Sequence, residues 1–429
     1  MPGSETHRAV EAIWRIESPK LVARLTRMVR DVGLAEDLAQ DALVVALERW
    51  PRSGVPENPG AWLMATAKHR AIDLQRRRAR LRRKHEELAR ELPGSDEAAA
   101  SELEQALDEE AQVQDDLLRL LFMTCHPLLS SEARVALTLR LLGGLTTGEI
   151  ARAYLVSEAT VAQRIVRAKR TLAEARVPFE LPSAGELPAR LSSVLEVIYL
   201  IFNEGYTATA GPEWMRPDLC EEALRLGRIL AELSPEEPEV HGLVALMEIQ
   251  LSRFAARIGP AGEPVLLLEQ DRMRWDRLLA RRGLAALARA ERLGGALGPY
   301  ALQGAIAACH ARAASAQETD WARIAALYEA LAQLSPSPVV ELNRAVAVAM
   351  AFGPRAGLEL VDGLAGERAL EDYHLLPSVR GELLFRLGRF EEAHAELQRA
   401  ATLTGNERER DLLRERAAAC AWESPPREP

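Results

Sequence analysis

The stretch LTTGEIARAYLVSEATVAQRIVRAKRTL, Leu145–Leu172, decides how the chain is read. Thr146 and Glu149 have the T-x-x-E spacing of a capping box, which satisfies the open amides at a helix start. A short helix carrying Ile150, Ala151 and Tyr154 is predicted there. The tight Leu155-Val156-Ser157 connection then places Ser157 as N-cap of a second helix, Glu158 to Leu172 or slightly beyond. Val161, Ile165, Ala168 and Leu172 recur at spacings of 4, 3 and 4 and form its inner stripe. Thr160, Gln163, Arg164, Arg167 and Arg170 flank or oppose that stripe with hydroxyl, amide and guanidinium groups. Two short helices of this kind make a helix-turn-helix whose second helix can enter a DNA major groove. An ordinary helical hairpin has the same turn; the basic outer face favours DNA.

A formal net charge of -9 would repel a polyanion if it were spread evenly, but it is segregated. The run KHRAIDLQRRRARLRRK, Lys68–Lys84, holds nine basic residues against the single acid Asp73. From His85 to Asp116 the balance inverts, with twelve acids against Arg90. Leu145–Leu172 is basic again, through Arg152, Arg164, Arg167, Lys169 and Arg170. Local patches decide where phosphate binds, and net charge mostly sets solubility. The acidic run, with Pro93, Gly94 and Ser95 and no clear helical stripe before Leu117, reads as a flexible, self-repelling linker.

The rest of the composition sets bounds. With 429 residues, 48% apolar and only 5% aromatic, and with Ala, Leu, Arg and Glu dominant, the chain is expected to be all-α and to hold two to four domains. No run approaches a membrane span and no signal-peptide segment opens the chain, so a cytoplasmic protein with no membrane role is expected. Cys125, Cys220, Cys309 and Cys420 lie far apart, which suggests buried thiols and neither a zinc site nor a disulfide framework. No phosphate-binding loop, zinc-protease or nucleophile-elbow pattern occurs, so no catalytic residue, metal or cofactor is expected, and the chain reads as no enzyme.

Upstream, in GLAEDLAQDALVVALERW (Gly33–Trp50), Asp37, Gln40, Asp41, Val44 and Glu48 place a polar, acidic strip along one side of a helix. A Pro/Gly-rich loop follows and ends at Asn58 as N-cap, with Pro59 opening a long basic helix. With these segments in view, the chain resembles the bacterial sigma factors of the sigma-70 superfamily, specifically the extracytoplasmic-function group. EDLAQDALVVALERW (Glu36–Trp50) looks like the core-polymerase-binding helix of region 2, NPGAWLMATAKHRAIDLQRRR (Asn58–Arg78) like its promoter-melting helix, and Leu129–Leu172 like region 4.

The resemblance implies partners and roles. The partners are core RNA polymerase and promoter DNA. Asp37, Gln40 and Asp41 would meet basic side chains of the polymerase clamp. Asn58, Trp62, Lys68, His69, Arg70, Arg76 and Arg77 would serve the -10 element, with Trp62 near the fork and the cations on phosphates; His69 stands where relatives often carry Asn. Thr160, Gln163, Arg164, Arg167 and Arg170 would read the -35 element. The domains implied are region 2 at 8–84, an acidic linker at 85–116, region 4 at 117–176, a short linker at 177–186 and a helical extension at 187–429. The linker is either a plain tether or, by the resemblance, a strand threading the polymerase cleft. A rival reading from the residues is a stand-alone helix-turn-helix regulator with a sensor domain.

The extension carries a weak repeat. In Leu375–Asn406, the residues Gly381, Leu384, Gly388, Phe390, Ala393, Leu397 and Ala400 fall at the offsets of a tetratricopeptide (TPR) repeat, with Gly405 where Pro is usual. Ala223, Leu230, Pro235 and Gly242, then Tyr328, Leu331, Pro336 and Ala347, echo it, so stacked helical hairpins are predicted. The expectation is modulation of the sigma activity in cis and, with it, an intramolecular contact, for which the acids of SPEEPE (Ser234–Glu239) and GNERERD (Gly405–Asp411) suit the basic faces. YLIFNEGYTATAGPEW (Tyr199–Trp214) reads as a buried helix end turning at Gly205, and EQDRMRWDR (Glu269–Arg277) as a charge cluster. Asn203, Glu204 and Tyr206 are read as structural, with a ligand or docking role as the alternative. Asp271, Arg272 and Asp276 are read as internal ion pairs on a helix.

Overall fold

A computed structural model describes residues 2–87, 110–154, 156–260, 262–294 and 297–423, and most of the acidic run, at 88–109, therefore lies outside the described residues. So do the side chains at 2–8, 11, 74, 75, 77–87, 110–114, 152 and 421–423, that of Arg77 included. The protein is all-α, and the chain divides into two compact units, Met1–Val197 and Ile198–Pro429.

In the first unit α1 (Pro2–Val29), α2 (Val32–Ser53) and α3 (Pro59–Glu87) pack together. The Asp31 carboxylate caps α2 by accepting from the amides of Gly33 at 2.9 Å and Leu34 at 3.0 Å. Its buried stripe is built mostly of small residues, Ala35, Ala39, Ala42 and Ala46 with Trp50 at the end, which lets neighbouring helices approach closely. Asn58 caps α3 by accepting from Ala61 N at 3.0 Å, with Pro59 at the first helical position as expected.

Among the described residues there follow α4 (Glu110–Thr124), α5 (Ser131–Leu141), α6 (Thr147–Ala153) and α7 (Glu158–Glu174). The end of the acidic run is a correction to the sequence reading, because α4 begins at Glu110 rather than near Leu117. The physical reason is that Asp116 faces inward. Fully buried, it pairs with Arg119 at 3.0 Å and Arg27 of α1 at 3.4 Å. Burial pushes its carboxyl above the usual range, against the opposing pull of Arg27 and Arg119.

The boundary between the units falls inside α8 (Leu187–Tyr206). This helix does not turn at Gly205 but runs on to Tyr206. Gly205 is there for close approach, since a Cβ would come within 2.7 Å of Cys220 N and 2.9 Å of Leu219 Cβ. The second unit continues with α9 (Pro217–Leu233), α10 (Pro238–Ser252), α11 (Arg277–Arg292), α12 (Pro299–Arg312), α13 (Trp321–Leu334), α14 (Pro338–Phe352), α15 (Pro354–Gly363), α16 (Leu375–Arg386), α17 (Phe390–Leu403) and α18 (Glu407–Glu423).

From α10 onward helices adjacent in the chain pack on one another, and the repeat residues of the last hairpin are buried or make its turn. Gly381 lies against α17, where a Cβ would meet Leu397 at 2.8 Å, and Gly388 makes the turn at φ +76°. Leu384, Ala393, Leu397 and Ala400 are buried in one cluster with Leu342, Ala345 and Val361. Gly405 departs from the repeat for a stated reason: it pairs in parallel with Ala210, joining β1 (Ala210–Gly211) to β2 (Gly405–Asn406). Asn406, buried, donates to the carbonyls of Ala208 at 3.0 Å and Glu213 at 2.8 Å, so the opening loop of this unit is tied to its end.

Candidate nucleic-acid and polymerase interface

The helix-turn-helix forms as its caps demand. Thr146 N donates to the Glu149 carboxylate at 2.7 Å while Glu149 N donates to the Thr146 hydroxyl at 3.1 Å, both halves of the capping box. Ser157 accepts from Thr160 N at 3.1 Å to start α7. Val161, Ile165, Ala168 and Leu172 are all buried, which fixes the opposite face outward. Gln163, Arg167 and Arg170 are exposed there, Arg164 and Thr160 partly so. The Thr160 hydroxyl lies 2.8 Å from that of Ser157, and Arg170 pairs along the helix with Glu174 at 2.6 Å, a surface pair that a phosphate can displace at little cost.

On α2, Asp37 and Asp41 are exposed while Gln40 is half-buried and donates to Glu36 at 2.6 Å. Asp41 meets Arg70 of α3 at 2.6 Å, so a carboxylate expected on polymerase and a guanidinium expected on DNA share one ion pair. Trp62 packs edge-on against the buried Trp50, ring centroids 5.3 Å apart, and is half-buried. Asn58 works as the helix cap. Lys68 is half-buried; His69 and Arg76 are exposed.

One cluster went unread in the sequence. Glu36, on the buried side of α2, accepts from Arg140 Nε of α5 at 2.7 Å and pairs with Lys169 of α7. Lys169, one of the basic residues of Leu145–Leu172, is not part of the outer face but reaches Glu36 of α2. Burial alone would push the Glu36 carboxyl up, but the charges and hydrogen bonds of Lys169 and Arg140 outweigh it and hold the pKa below the usual value. Arg15 of α1 and Glu149 of α6 add a second, more exposed pair at 2.8 Å. An acid among Val32, Ala35 and Ala39 was the available signal, since a buried carboxylate demands a partner.

The opening turns of α8 complete this unit. Arg190 donates to the carbonyl of Phe122 at 2.7 Å, and the Ser193 hydroxyl to that of Cys125 at 2.6 Å, satisfying the carbonyl end of α4. Arg134 of α5 bonds Ser193 and pairs with Glu196 at 3.0 Å.

In the second unit the expectation of ion pairs among Asp271, Arg272 and Asp276 is corrected. Asp271 and Asp276 are caps, accepting from Met273 N at 2.9 Å and from Leu278 N at 2.8 Å, and Arg272 donates to the carbonyls of His310 and Ala313, each at 2.6 Å. They lie around a 3₁₀ turn (Arg272–Arg274), where helical i,i+4 pairing has no register. Glu204 forms a buried pair with Arg216 at 2.7 Å, in keeping with the structural role expected of it. The acids proposed for docking are partly engaged: Glu239 accepts from the amides of Tyr300 at 2.8 Å and Ala301 at 3.0 Å, and Glu409 from Thr404 at 2.6 Å.

All four cysteines are free and buried. Among the described residues, no group of three His, Cys, Asp or Glu is placed to hold a metal, and no helix is long and apolar enough to cross a membrane.

Comparison with known proteins agrees with this geometry. The family models of Sigma-70 region 2 and Sigma-70 region 4 match residues 13–81 and 119–172, and a family of unknown function (DUF6596) matches 190–291. An uncharacterized protein of Rhizobium meliloti (strain 1021) is 46% identical over 397 residues, covering 92% of each chain. A probable ECF RNA polymerase sigma factor, SigI of Mycobacterium tuberculosis (strain CDC 1551 / Oshkosh), is 29% identical over 171 residues, 40% of this chain and 57% of that protein. With both sigma regions matched in order and a helix-turn-helix capped and buried as its sequence demands, the chain belongs to the extracytoplasmic-function group of the sigma-70 superfamily and carries a C-terminal helical extension.

Proposed function

We propose that this sigma factor binds core RNA polymerase through the exposed α2 strip of Asp37, Gln40 and Asp41 and reads promoters through α3 and α7, with the C-terminal extension modulating that activity in cis. On α3 the contacts are Asn58, Trp62, Lys68, His69, Arg70, Arg76 and Arg77, of which Arg70 must exchange Asp41 for phosphate. On α7 they are Thr160, Gln163, Arg164, Arg167 and Arg170, spread along the side opposite the buried stripe. The protein performs no chemistry; it positions and opens DNA for the polymerase.

The observation that carries the modulation reading is the bonding of α8. Arg190, Ser193 and Glu196, on the first helix of the extension, engage Phe122, Cys125 and Arg134 within the first unit. Removing α8 uncovers the carbonyls of Phe122 and Cys125 and leaves Arg134 without Ser193 and Glu196. Truncation after Arg176 therefore lowers run-off transcription from a cognate promoter. Ser193→Ala with Glu196→Ala, in the full chain, lowers it in the same direction with smaller effect. Full activity in both proteins under all conditions would contradict control in cis and favour a platform for some other partner. The polymerase role is supported against a stand-alone regulator by the second basic helix with Trp62, which operator binding alone does not use.

A further inference from the structure

The two stretches of the extension that its repeat leaves unexplained come together in space. Tyr206 at the end of α8, Arg253 and Arg257 after α10, Arg272 and Trp275 around the 3₁₀ turn, and His310 on α12 form one cluster. Arg257 lies 3.5 Å from the centre of the Tyr206 ring, and Arg253 donates to the Tyr206 hydroxyl at 2.6 Å. Arg272 and Arg253 lie 4.8 Å and 6.0 Å from the ring centre of Trp275.

Arg253 and Arg257 are 9% and 6% exposed, so two guanidiniums are carried almost out of water and a third stands beside them. Their acceptors are neutral: the carbonyls of Tyr206, His310 and Ala313, the hydroxyls of Tyr206, Thr207 and Thr319, and the side-chain amide oxygen of Gln250. Among the described residues none of the three pairs with a carboxylate, and Glu204 close by is taken by Arg216. Carbonyl dipoles satisfy N–H groups but leave net charge uncompensated, and buried charge of one sign is costly without a counter-charge. Burial pushes Arg257 and Arg272 below the usual range, and the charge of Arg253 adds to it; the more distant Glu318 offsets the shift of Arg272 only in part. Burial, with Arg253 and Arg272, also pushes His310 down to about 4, keeping it neutral. Further, Arg253 Nε, Trp275 Nε1 and His310 Nδ1 are buried without a hydrogen-bond partner. Native interiors rarely leave such groups open unless something else meets them.

We propose that this cluster is the binding site of a compact oxyanion, a phosphate or carboxylate group, received by the guanidiniums of Arg253 and Arg272 and the indole N–H of Trp275. The planar guanidinium fork and the indole donor match two or three oxygens of such a group. The inference stands on the second unit alone and does not depend on whether that unit controls transcription.

The test uses full-length protein at constant ionic strength set with chloride. Inorganic phosphate in one arm and succinate in the other are titrated while tryptophan fluorescence is followed, and calorimetry checks stoichiometry. A saturable change with one site per chain is expected in one arm, and the arm identifies phosphate or carboxylate as the source. Arg253→Met and Arg272→Met, confirmed folded by circular dichroism, weaken binding about tenfold to a hundredfold, as the loss of charge-assisted bonds implies. Arg281→Met, at an exposed position on α11, leaves it unchanged. If a methionine variant does not fold, Arg253→Lys keeps the charge but not the fork and is also expected to weaken binding. No saturable change with either probe overturns the proposal, as does binding by the folded variants at wild-type strength, which would mean an adventitious ion only.

Discussion

Replacing Glu36 by glutamine isolates the cluster that joins the region 2 helices to the region 4 helices. Glutamine keeps the shape and one acceptor oxygen but removes the charge that faces Arg140 and Lys169. Breaking a buried pair by neutralising one partner costs about 3–5 kcal/mol. The lower end applies because Arg140 and Lys169 keep 22% and 19% of their side-chain exposure and can recover some hydration. A loss of about 3 kcal/mol is therefore expected, a roughly hundredfold shift in the equilibrium that holds the helices together. Urea unfolding followed by circular dichroism, with hydrogen exchange to localise the effect to α2, α5 and α7, measures it. The pH dependence supplies the sign. The folded carboxyl is held below the ordinary glutamate value of 4.5, so its contribution is complete above that value and is lost as pH falls through the lower folded one. The difference between wild type and variant should be constant near neutrality and shrink on acidification below about 4.5. Equal stability at pH 7, or a gap that persists in acid, would refute the reasoning.

Other outcomes follow from the same geometry. Asp37→Lys with Asp41→Lys should weaken association with core polymerase, because both carboxylates are exposed and like charges would replace charge-assisted contacts; a pull-down at wild-type strength would remove α2 from the interface. Arg167→Ala, at an exposed position of α7, should cost about 1–3 kcal/mol if it makes a bidentate base contact, and only at promoters that depend on the -35 element. A uniform loss across promoters in a gel-shift series would mark it as a phosphate contact instead. Trp62→Ala should leave closed complexes intact while reducing permanganate reactivity of -10 thymines. Because Trp62 also packs on Trp50, a matching Trp62→Phe variant should keep stability and separate opening from folding.

The parts of this molecule that could be read from sequence are those set by local periodicity and capping. Thr146 with Glu149, Ser157, Asn58 and the four-residue stripe of α7 depend on neighbours within a turn or two, and each lies where its spacing placed it. The pairing of Lys169 with Glu36 was not legible, because periodicity distinguishes inner from outer faces but not which distant helix a long side chain reaches. Gly205 was read as a turn for a similar reason: its lack of a Cβ serves the approach of α9, a tertiary demand that looks the same as a breaker in a single sequence. The arginine cluster combines segments from Tyr206 to His310, and a dense charge run gives no sign of whether its partners are acids, carbonyls or a ligand. The individual promoter and polymerase contacts rest on matched positions and exposure, and the matches with known sigma regions reach the regions rather than those residues.

Run-off transcription by purified core polymerase, with and without the full-length protein, on genomic fragments, followed by mapping of start sites, tests the central claim most directly. The account predicts start sites that appear only when the protein is added, share -10 and -35 elements, and are lost with Arg167→Ala or with the Asp37 and Asp41 reversals. Sequence-specific DNA binding with no polymerase recruitment and no new start sites would contradict it and return the chain to the class of stand-alone regulators.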